Sequence, residues 1–181
     1  MVHFKKYFSS FISHFSTPRG FTLIELIIYI GILSVLLGVM SSVFTTVVDV
    51  QLESNATASV DQDGRYLLGK LLHDFQANTP VVIKQPKDPG TQTNYLQLNL
   101  NNSLSDTIYS VDGNGNLQLT ESSASAQLNS YDTNISSFSA TRIGLNDSHD
   151  TVRVSFTIRS RTKERSGYET KTFTSTFAGH N

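Results

Sequence analysis

The chain has 181 residues, a formal net charge of −1 and no cysteine. This length fits one globular domain plus a membrane segment, and the lack of cysteine excludes a disulfide framework, cysteine-ligated metals and a thiol nucleophile. The charge is unevenly distributed, because residues 1–20 hold three basic side chains and no acid, whereas residues 21–181 hold 11 basic and 15 acidic ones.

The first predicted element is a membrane-spanning helix. Residues 26–48 contain no charged side chain, and at ~1.5 Å per residue a helix over them is roughly 34 Å long, enough to cross a bilayer core of ~30 Å. Basic residues precede this run, whereas Asp49 and Glu53 follow it, so the positive-inside rule predicts a cytoplasmic N-terminus and a C-terminal domain outside. An ordinary secretory signal has a shorter apolar core and a cleavage site after that core.

Glu25 is a lone carboxylate at the edge of the apolar run. A charge at mid-bilayer costs up to ~3 kcal/mol, so Glu25 is a functional candidate. Cleavage between Gly20 and Phe21 would create an amino group about one helical turn before Glu25. Within one helix the two charges could meet. In a bundle of such helices, Glu25 of one subunit could instead neutralise the Phe21 amino group of its neighbour, which would favour assembly in one register. The alternative is a glutamate that only reaches the membrane interface.

Residues 19–26, Arg-Gly-Phe-Thr-Leu-Ile-Glu-Leu, resemble the prepilin cleavage and methylation motif of type IV pilins and type II secretion pseudopilins. The resemblance covers about residues 19–45. It implies that a prepilin peptidase cuts after Gly20 and N-methylates Phe21. It also implies that Thr22 to Leu26 lie at the subunit-packing core of a filament, with Phe21 and Glu25 as the assembly residues. The expected partners are therefore other pilins or pseudopilins, the inner-membrane assembly platform and the membrane.

Ser42 departs from the pattern of this family. Major pilins usually carry a proline at the corresponding position of the mature chain, whereas this chain has serine. The resemblance therefore favours a minor pilin or a pseudopilin over the main fibre subunit.

Helical periodicity continues after the span. Apolar residues recur at multiples of three and four and predict one buried stripe, which consists of Leu52, Ala56, Val60, Leu67, Leu71 and Phe75. Gly64 and Gly69 each weaken a helix by about 1 kcal/mol relative to alanine, so a bend or break near Gly64 is one expectation. Thr79-Pro80 ends the pattern, because the residue before proline disfavours helix.

Patterns of period two follow the helix. Residues 80–94 contain three prolines and predict a connecting loop, after which alternating leucines at 96, 98 and 100 predict a half-buried strand. Residues 108–111 and 117–119 flank the turn-forming run Asp-Gly-Asn-Gly-Asn and predict a hairpin.

Two further strands are predicted near the C-terminus. Residues 152–158 alternate cleanly between apolar and polar side chains. The last strand covers about residues 168–177, where the inward face is ambiguous because Glu169 and Lys171 share parity with Phe173 and Phe177.

The predicted fold is α+β, with a long N-terminal helix, transmembrane in its first half, packed on a C-terminal antiparallel β-sheet domain. The predicted organisation is a cytoplasmic leader at 1–20, a transmembrane and filament-core helix at 21–50, an amphipathic continuation at 51–79 and a β-rich globular domain at 80–181. This order of a helix and meandering strands also resembles the downstream part of J-type minor pseudopilins.

Candidates for catalytic or metal chemistry are few. Asp112, Asn114 and Asn116 have the first half of a calcium-loop spacing, but Leu117 and Ser123 stand where that loop needs glycine and an acid, so a simple turn is the preferred interpretation. The five histidines are scattered, and no zinc-protease, serine-hydrolase or phosphate-loop motif occurs. The sequence therefore predicts no catalytic residue, no metal and no cofactor, and the protein is not predicted to be an enzyme.

Basic residues gather late in the chain. Arg153, Arg159 and Arg161 share strand parity, so they are predicted to line one exposed face. A solvated face is the simplest interpretation, and the alternatives are contact with an acidic neighbouring subunit or with nucleic acid. Nucleic acid is not favoured, because no interleaved aromatic residues support base stacking.

The function predicted from the sequence is that of a minor pilin or pseudopilin that joins or primes a type IV pilus or a type II secretion filament. The alternative is a membrane-anchored binding domain outside the cytoplasm that does not polymerise. The sequence does not identify the machine that the subunit serves.

Overall fold

In a computed structural model, which describes residues 20–77, 80–100, 103–144 and 151–179, one helix precedes nine β-strands. The helix α1 spans Leu23–Ala77. The strands are β1 Val81–Gln85, β2 Gln92–Thr93, β3 Tyr95–Leu100, β4 Thr107–Val111, β5 Leu117–Glu121, β6 Ala124–Gln127, β7 Thr133–Arg142, β8 Thr151–Lys163 and β9 Tyr168–Ala178. The α+β prediction is confirmed.

The chain divides into two compact units between Thr46 and Val47. The described part of the first unit is the start of α1 and the residues just before it. The second unit contains the rest of α1 and all nine described strands. Except for Gly20, the predicted leader lies outside the described residues.

The strands of the second unit form two antiparallel sheets. One sheet has five strands in the order β1-β3-β4-β5-β6, and the other has four in the order β2-β7-β8-β9. The hairpin predicted around residues 112–116 is confirmed, since β4 and β5 pair antiparallel from Val111 and Leu117 outward. The alternation predicted at 152–158 is also confirmed, because Val152, Val154, Phe156 and Ile158 on β8 are all buried.

The apolar stripe of α1 packs on these sheets. Ala56, Val60, Leu67, Leu71 and Phe75 are at most 4% exposed, as their helical spacing predicts. The prediction that Leu52 belongs to this buried stripe was wrong, because the residue is 38% exposed. The stripe therefore begins about one turn later than its periodicity indicates.

Gly64 does not bend or break α1, which runs through it without interruption. It lies on the buried face, where the ring of Phe173 from β9 packs against it so closely that a Cβ atom would lie 2.1 Å from the ring Cζ. The glycine thus permits a close approach of strand and helix. Gly64 is therefore important for packing, but the expectation that α1 bends or breaks there was wrong.

The loop predicted over residues 80–94 is partly wrong, because β1 and β2 lie within it. Val81 and Ile83 are buried whereas Val82 and Lys84 are exposed, which is the alternation of a half-buried strand. β1 pairs with β3 at the edge of its sheet, and the prolines at 86 and 89 follow its last residue. Proline is tolerated in such an edge position.

The inward face of β9 follows from its contacts with α1. The Nζ atom of Lys171 lies 2.6 Å from Oδ1 of Asp61, and the ring of Phe173 packs on Gly64. Phe177 stacks on Phe75 with 5.2 Å between ring centroids. Lys171 therefore lies on the same face of β9 as Phe173 and Phe177, because its partner Asp61 is also on α1.

Candidate functional site

The start of α1 is fixed by a side-chain cap. The Glu25 N–H donates to Oγ1 of Thr22 at 3.3 Å, and the Leu26 N–H donates to the Thr22 carbonyl at 3.1 Å. Thr-x-x-Glu is a spacing that favours a helix start, and a glutamate in the first turn is stabilised by the helix dipole. Local chemistry thus begins the helix two residues after Phe21.

Phe21, Glu25 and Tyr29 form one cluster on the face that residues four apart share. The Tyr29 hydroxyl donates to Oε1 of Glu25 at 3.3 Å. The rings of Phe21 and Tyr29 meet edge to face, with 6.0 Å between centroids and 82° between planes. Phe21 and Glu25 therefore both contact Tyr29, a residue not predicted from the sequence although its spacing places it on this face.

The apolar side chains of this segment are uncovered. Each large apolar side chain from Leu23 to Phe44 is more than half exposed, and no residue in the most apolar window of the helix is buried. By length and composition this helix can cross a membrane. A helix that is apolar on all sides and packed against nothing has the properties of a lipid-facing segment.

The family described as "Prokaryotic N-terminal methylation motif" matches residues 16–41. The chain carries the prepilin-type N-terminal methylation motif. The match includes Gly20, Phe21, Glu25 and the first half of the exposed apolar helix, so the predicted resemblance to type IV pilins and pseudopilins is confirmed. The motif, together with a helix that can cross a membrane by length and composition, supports a pilin-like precursor with a single membrane anchor.

No curated protein and no solved structure matched the chain. The methylation motif covers the N-terminal segment and gives no information on the second unit. The minor-subunit and J-type assignments therefore stay predictions, as do the roles of Gly20, Phe21 and Glu25 in processing and assembly.

The second unit contains a buried carboxylate that the sequence analysis missed. Asp63 is 6% exposed and lies on the buried face of α1, between Val60 and Leu67. Its Oδ2 atom accepts hydrogen bonds from the Ser130 N–H at 2.9 Å, from the Ser130 hydroxyl at 2.8 Å and from the Thr133 hydroxyl. These bonds compensate the burial of the carboxylate and tie the helix to the first residue of β7 and to the segment before it.

Asp74 is a second buried carboxylate, 11 residues or about three turns further along the same face. It is 2% exposed and accepts hydrogen bonds from the Tyr109 hydroxyl of β4 and, at 2.7 Å, from Nζ of Lys70. Burial, and after it the bond to Asp74, raises the pKa of Tyr109. Asp63 and Asp74 thus join one helix face to two different parts of the β domain.

An open cleft of about 610 Å³ adjoins Asp74, with Lys70, His73 and Glu121 among its lining residues. His73 is largely exposed, and its Nδ1 atom lies 3.3 Å from Asp74. Within the described part of the chain, no three His, Asp or Glu side chains are grouped to hold a metal ion. His3, His14, His149 and His180 lie outside that part.

Asp112 acts as a turn residue. Its carboxylate accepts hydrogen bonds from the N–H groups of Asn114 and Asn116, both at 2.8 Å, and from the side chains of Asn116 and Gln118. These bonds lower the pKa of Asp112, the backbone bond from Asn116 most strongly. Both carboxylate oxygens are thus occupied by donors of the hairpin itself, which explains the Asp-x-Asn-x-Asn pattern without calcium.

Three of the late arginines are exposed on β8. Arg159 stacks over Tyr168 with 3.9 Å to the ring centroid, and Arg161 donates to the Thr133 carbonyl at 3.0 Å. Arg153 is also exposed. Arg142, by contrast, is 6% exposed and donates to the Lys87 carbonyl at 2.5 Å, so it fastens β7 to the segment after β1.

Proposed function

We propose that this chain is the precursor of a minor pilin or pseudopilin. A prepilin peptidase removes residues 1–20 after Gly20 and methylates the new amino group of Phe21. The helix over 21–50 then holds the subunit in the cytoplasmic membrane, with the domain after it outside. The inner-membrane platform transfers the subunit into a type IV pilus or a type II secretion filament, either in the shaft or as a primer.

The observation that carries this proposal is the uncovered start of α1, where a lone glutamate interrupts an otherwise exposed apolar helix. Lipid can cover the apolar side chains but cannot neutralise the Glu25 carboxylate, which in the described chain has only the Tyr29 hydroxyl as a side-chain donor. The Phe21 amino group of a neighbouring subunit supplies the missing positive charge. The free energy gained by pairing these two charges is available only when subunits pack, so it favours the assembled filament over the single subunit in the membrane.

Processing is tested by expressing the full chain with its native peptidase. Gly20→Ala is expected to leave the precursor at its full length, whereas Gly31→Ala should be shortened as the unchanged chain is. Gly31 is a matched control, because at both glycines an added Cβ atom would have nothing within 4 Å. Mass spectrometry of the N-terminus reports both the cut and the methyl group.

Assembly is tested by the amount of subunit in sheared filaments. Glu25→Val should still be cleaved but should be lost from filaments, whereas Glu53→Val, which removes an exposed acid beyond the apolar run, should assemble normally. If Gly20→Ala is shortened like the parent, the peptidase assignment is wrong. If Glu25→Val enters filaments as efficiently as Glu53→Val, the chain is better described as a membrane-anchored domain whose glutamate only reaches the interface.

A further inference from the structure

The β8–β9 hairpin lies alongside the part of α1 that belongs to the second unit. Three contacts mark its course, since Phe173 packs on Gly64, Lys171 pairs with Asp61, and Arg165 at the hairpin turn lies 3.5 Å from Asp49. Arg165 and Asp49 are 116 residues apart in sequence. The hairpin turn is thus next to the first charged residue after the apolar run.

The contact of Arg165 with Asp49 determines how close the hairpin turn lies to the surface of a bilayer that α1 spans. Residues 26–48 are free of charge and long enough to fill the hydrocarbon core, so a spanning α1 places Asp49 among the lipid headgroups. A side chain that contacts Asp49 lies at the same level. The inference needs only this part of the proposed function, namely that α1 spans a membrane.

The hairpin is rich in exposed cations. Arg159, Arg161, Lys163 and Arg165 follow one another at every second position, with Glu164 as the acid between them. The ion pair of Arg165 with Asp49 is long and both side chains are exposed, so it is weak and leaves Arg165 available to a second anion. These cations are too far from the span in sequence to affect its insertion, which depends on charges close to the ends of the helix.

Tyr168 adds an aromatic ring at the start of β9. It is 42% exposed, and the guanidinium of Arg159 lies over its face. Tyrosine is enriched at membrane–water interfaces because its ring is apolar and its hydroxyl polar. Cations with an interfacial aromatic form a surface that complements lipid phosphates, whereas a protein interface usually centres on apolar anchors.

We propose that the β8–β9 hairpin docks on the membrane surface of the unassembled subunit, with Lys163 and Arg165 bound to anionic phospholipid headgroups. Docking holds the globular unit against the bilayer. Entry into a filament then requires the hairpin to leave the lipid surface.

The test uses the absence of native cysteine. The full chain with Ser166→Cys, labelled with an environment-sensitive dye, is placed in vesicles of phosphatidylcholine alone or mixed with phosphatidylglycerol, each carrying a headgroup spin label as quencher. Ser105→Cys is the control site, because Ser105 lines the cleft beside His73, about 36 Å from Asp49 along the helix axis. Carbonate extraction verifies that the labelled chain spans the bilayer.

Quenching at Ser166 should be severalfold stronger in the anionic vesicles than in the neutral ones and should weaken with added salt. Joint Lys163→Gln and Arg165→Gln substitutions should abolish the difference, whereas joint Arg65→Gln and Lys87→Gln substitutions, which remove two exposed cations elsewhere, should preserve it. Equal quenching of the Ser166 label in anionic and neutral vesicles would overturn the proposal.

Four other outcomes are also decisive. Equal quenching at Ser166 and Ser105 would overturn the proposal, as would protection of the Ser166 label by a second copy of the chain or by nucleic acid but not by anionic vesicles. A chain that spans the bilayer and docks but is not cut after Gly20 would refute the proposed function and support the docking surface. A chain that is cut and assembled without lipid-dependent quenching would show the reverse.

Discussion

Replacing Gly64 with alanine tests the packing of α1 on β9. In the middle of a helix, alanine is more favourable than glycine by about 1 kcal/mol, so propensity alone predicts a more stable protein. The structure predicts the opposite, because the new methyl group would lie 2.1 Å from Cζ of Phe173. That ring is stacked on Phe156, with 5.6 Å between centroids, so it has little room to retreat.

The magnitude follows from two opposing effects. Overpacking a buried contact typically costs about 1–3 kcal/mol, from which the helix gain of about 1 kcal/mol is subtracted. Gly64→Ala should therefore lower the free energy of unfolding by about 1 kcal/mol. Gly69→Ala is the matched control in the same helix, since nothing lies within 4 Å of its added Cβ, and it should raise stability by about the same amount.

Urea unfolding of the full chain in detergent micelles, followed by tyrosine fluorescence, measures both changes. A second background makes the test specific, because Phe173→Leu shortens the side chain that opposes the methyl group. In that background Gly64→Ala should become neutral or stabilising, and the resulting coupling energy identifies the contact. If Gly64→Ala and Gly69→Ala stabilise the parent chain equally, the proposed close approach of β9 and α1 is refuted.

Two further predictions concern the buried polar contacts of α1. Burial and Asp74 raise the pKa of Tyr109 above its ordinary value of 10.0, so its contribution to stability is fully present below about pH 10 and is lost at higher pH, by about 1.4 kcal/mol per pH unit. Urea titrations at rising pH should show this loss, and Tyr109→Phe should make it shallower; identical slopes would contradict the assignment. Asp63→Ala should lower the free energy of unfolding by about 2–3 kcal/mol in the same assay, because Ser130 and Thr133 lose their buried acceptor. Asp63→Asn should lower it less, since asparagine keeps one carbonyl oxygen. Equal losses of stability in the two variants would indicate that the acceptor is unimportant.

Elements with a strong hydrophobic period were predictable from the sequence. The stripe from Ala56 to Phe75 and the alternation on β8 are both sets of side chains that a single face must bury, so their spacing alone indicates the element. The β4–β5 turn was also predictable, because its residues suit a tight turn and Gly115 has a positive φ of 77°.

Elements whose stability depends on distant partners were not predictable. β1 was hidden by its neighbouring prolines, and β7 consists largely of Ser, Thr and Asn, which give a weak strand signal. Asp63 and Asp74 occupy stripe positions where a polar residue looks like an interruption, and their hydrogen-bond partners in the β domain are 35 to 70 residues away in sequence. Only the folded chain brings those donors to the helix.

The candidate site at the start of α1 was the most predictable part of the chain, because its components are neighbours in one helix. Gly20, Phe21 and Glu25 are recognised by spacing, and the methylation motif covers all three. Tyr29 follows at the next helical repeat, but a tyrosine in an apolar segment looks like ordinary lipid-facing surface. Its two contacts, with the Phe21 ring and the Glu25 carboxylate, become visible only in the structure.

The two units also differ in how their apolar side chains are packed. The β domain is packed around its own apolar core and around the buried carboxylates at 63 and 74, whereas the apolar side chains before Val47 are exposed. Transfer from lipid to a filament would therefore exchange one apolar environment for another at residues 23–46 without disrupting that core. Because lipid is as apolar as the helix, such an exchange has little hydrophobic driving force, and packing and polar pairing must decide it. Under the proposed function, Glu25 and the amino group that cleavage would create at Phe21 are the charged groups that would make that pairing specific.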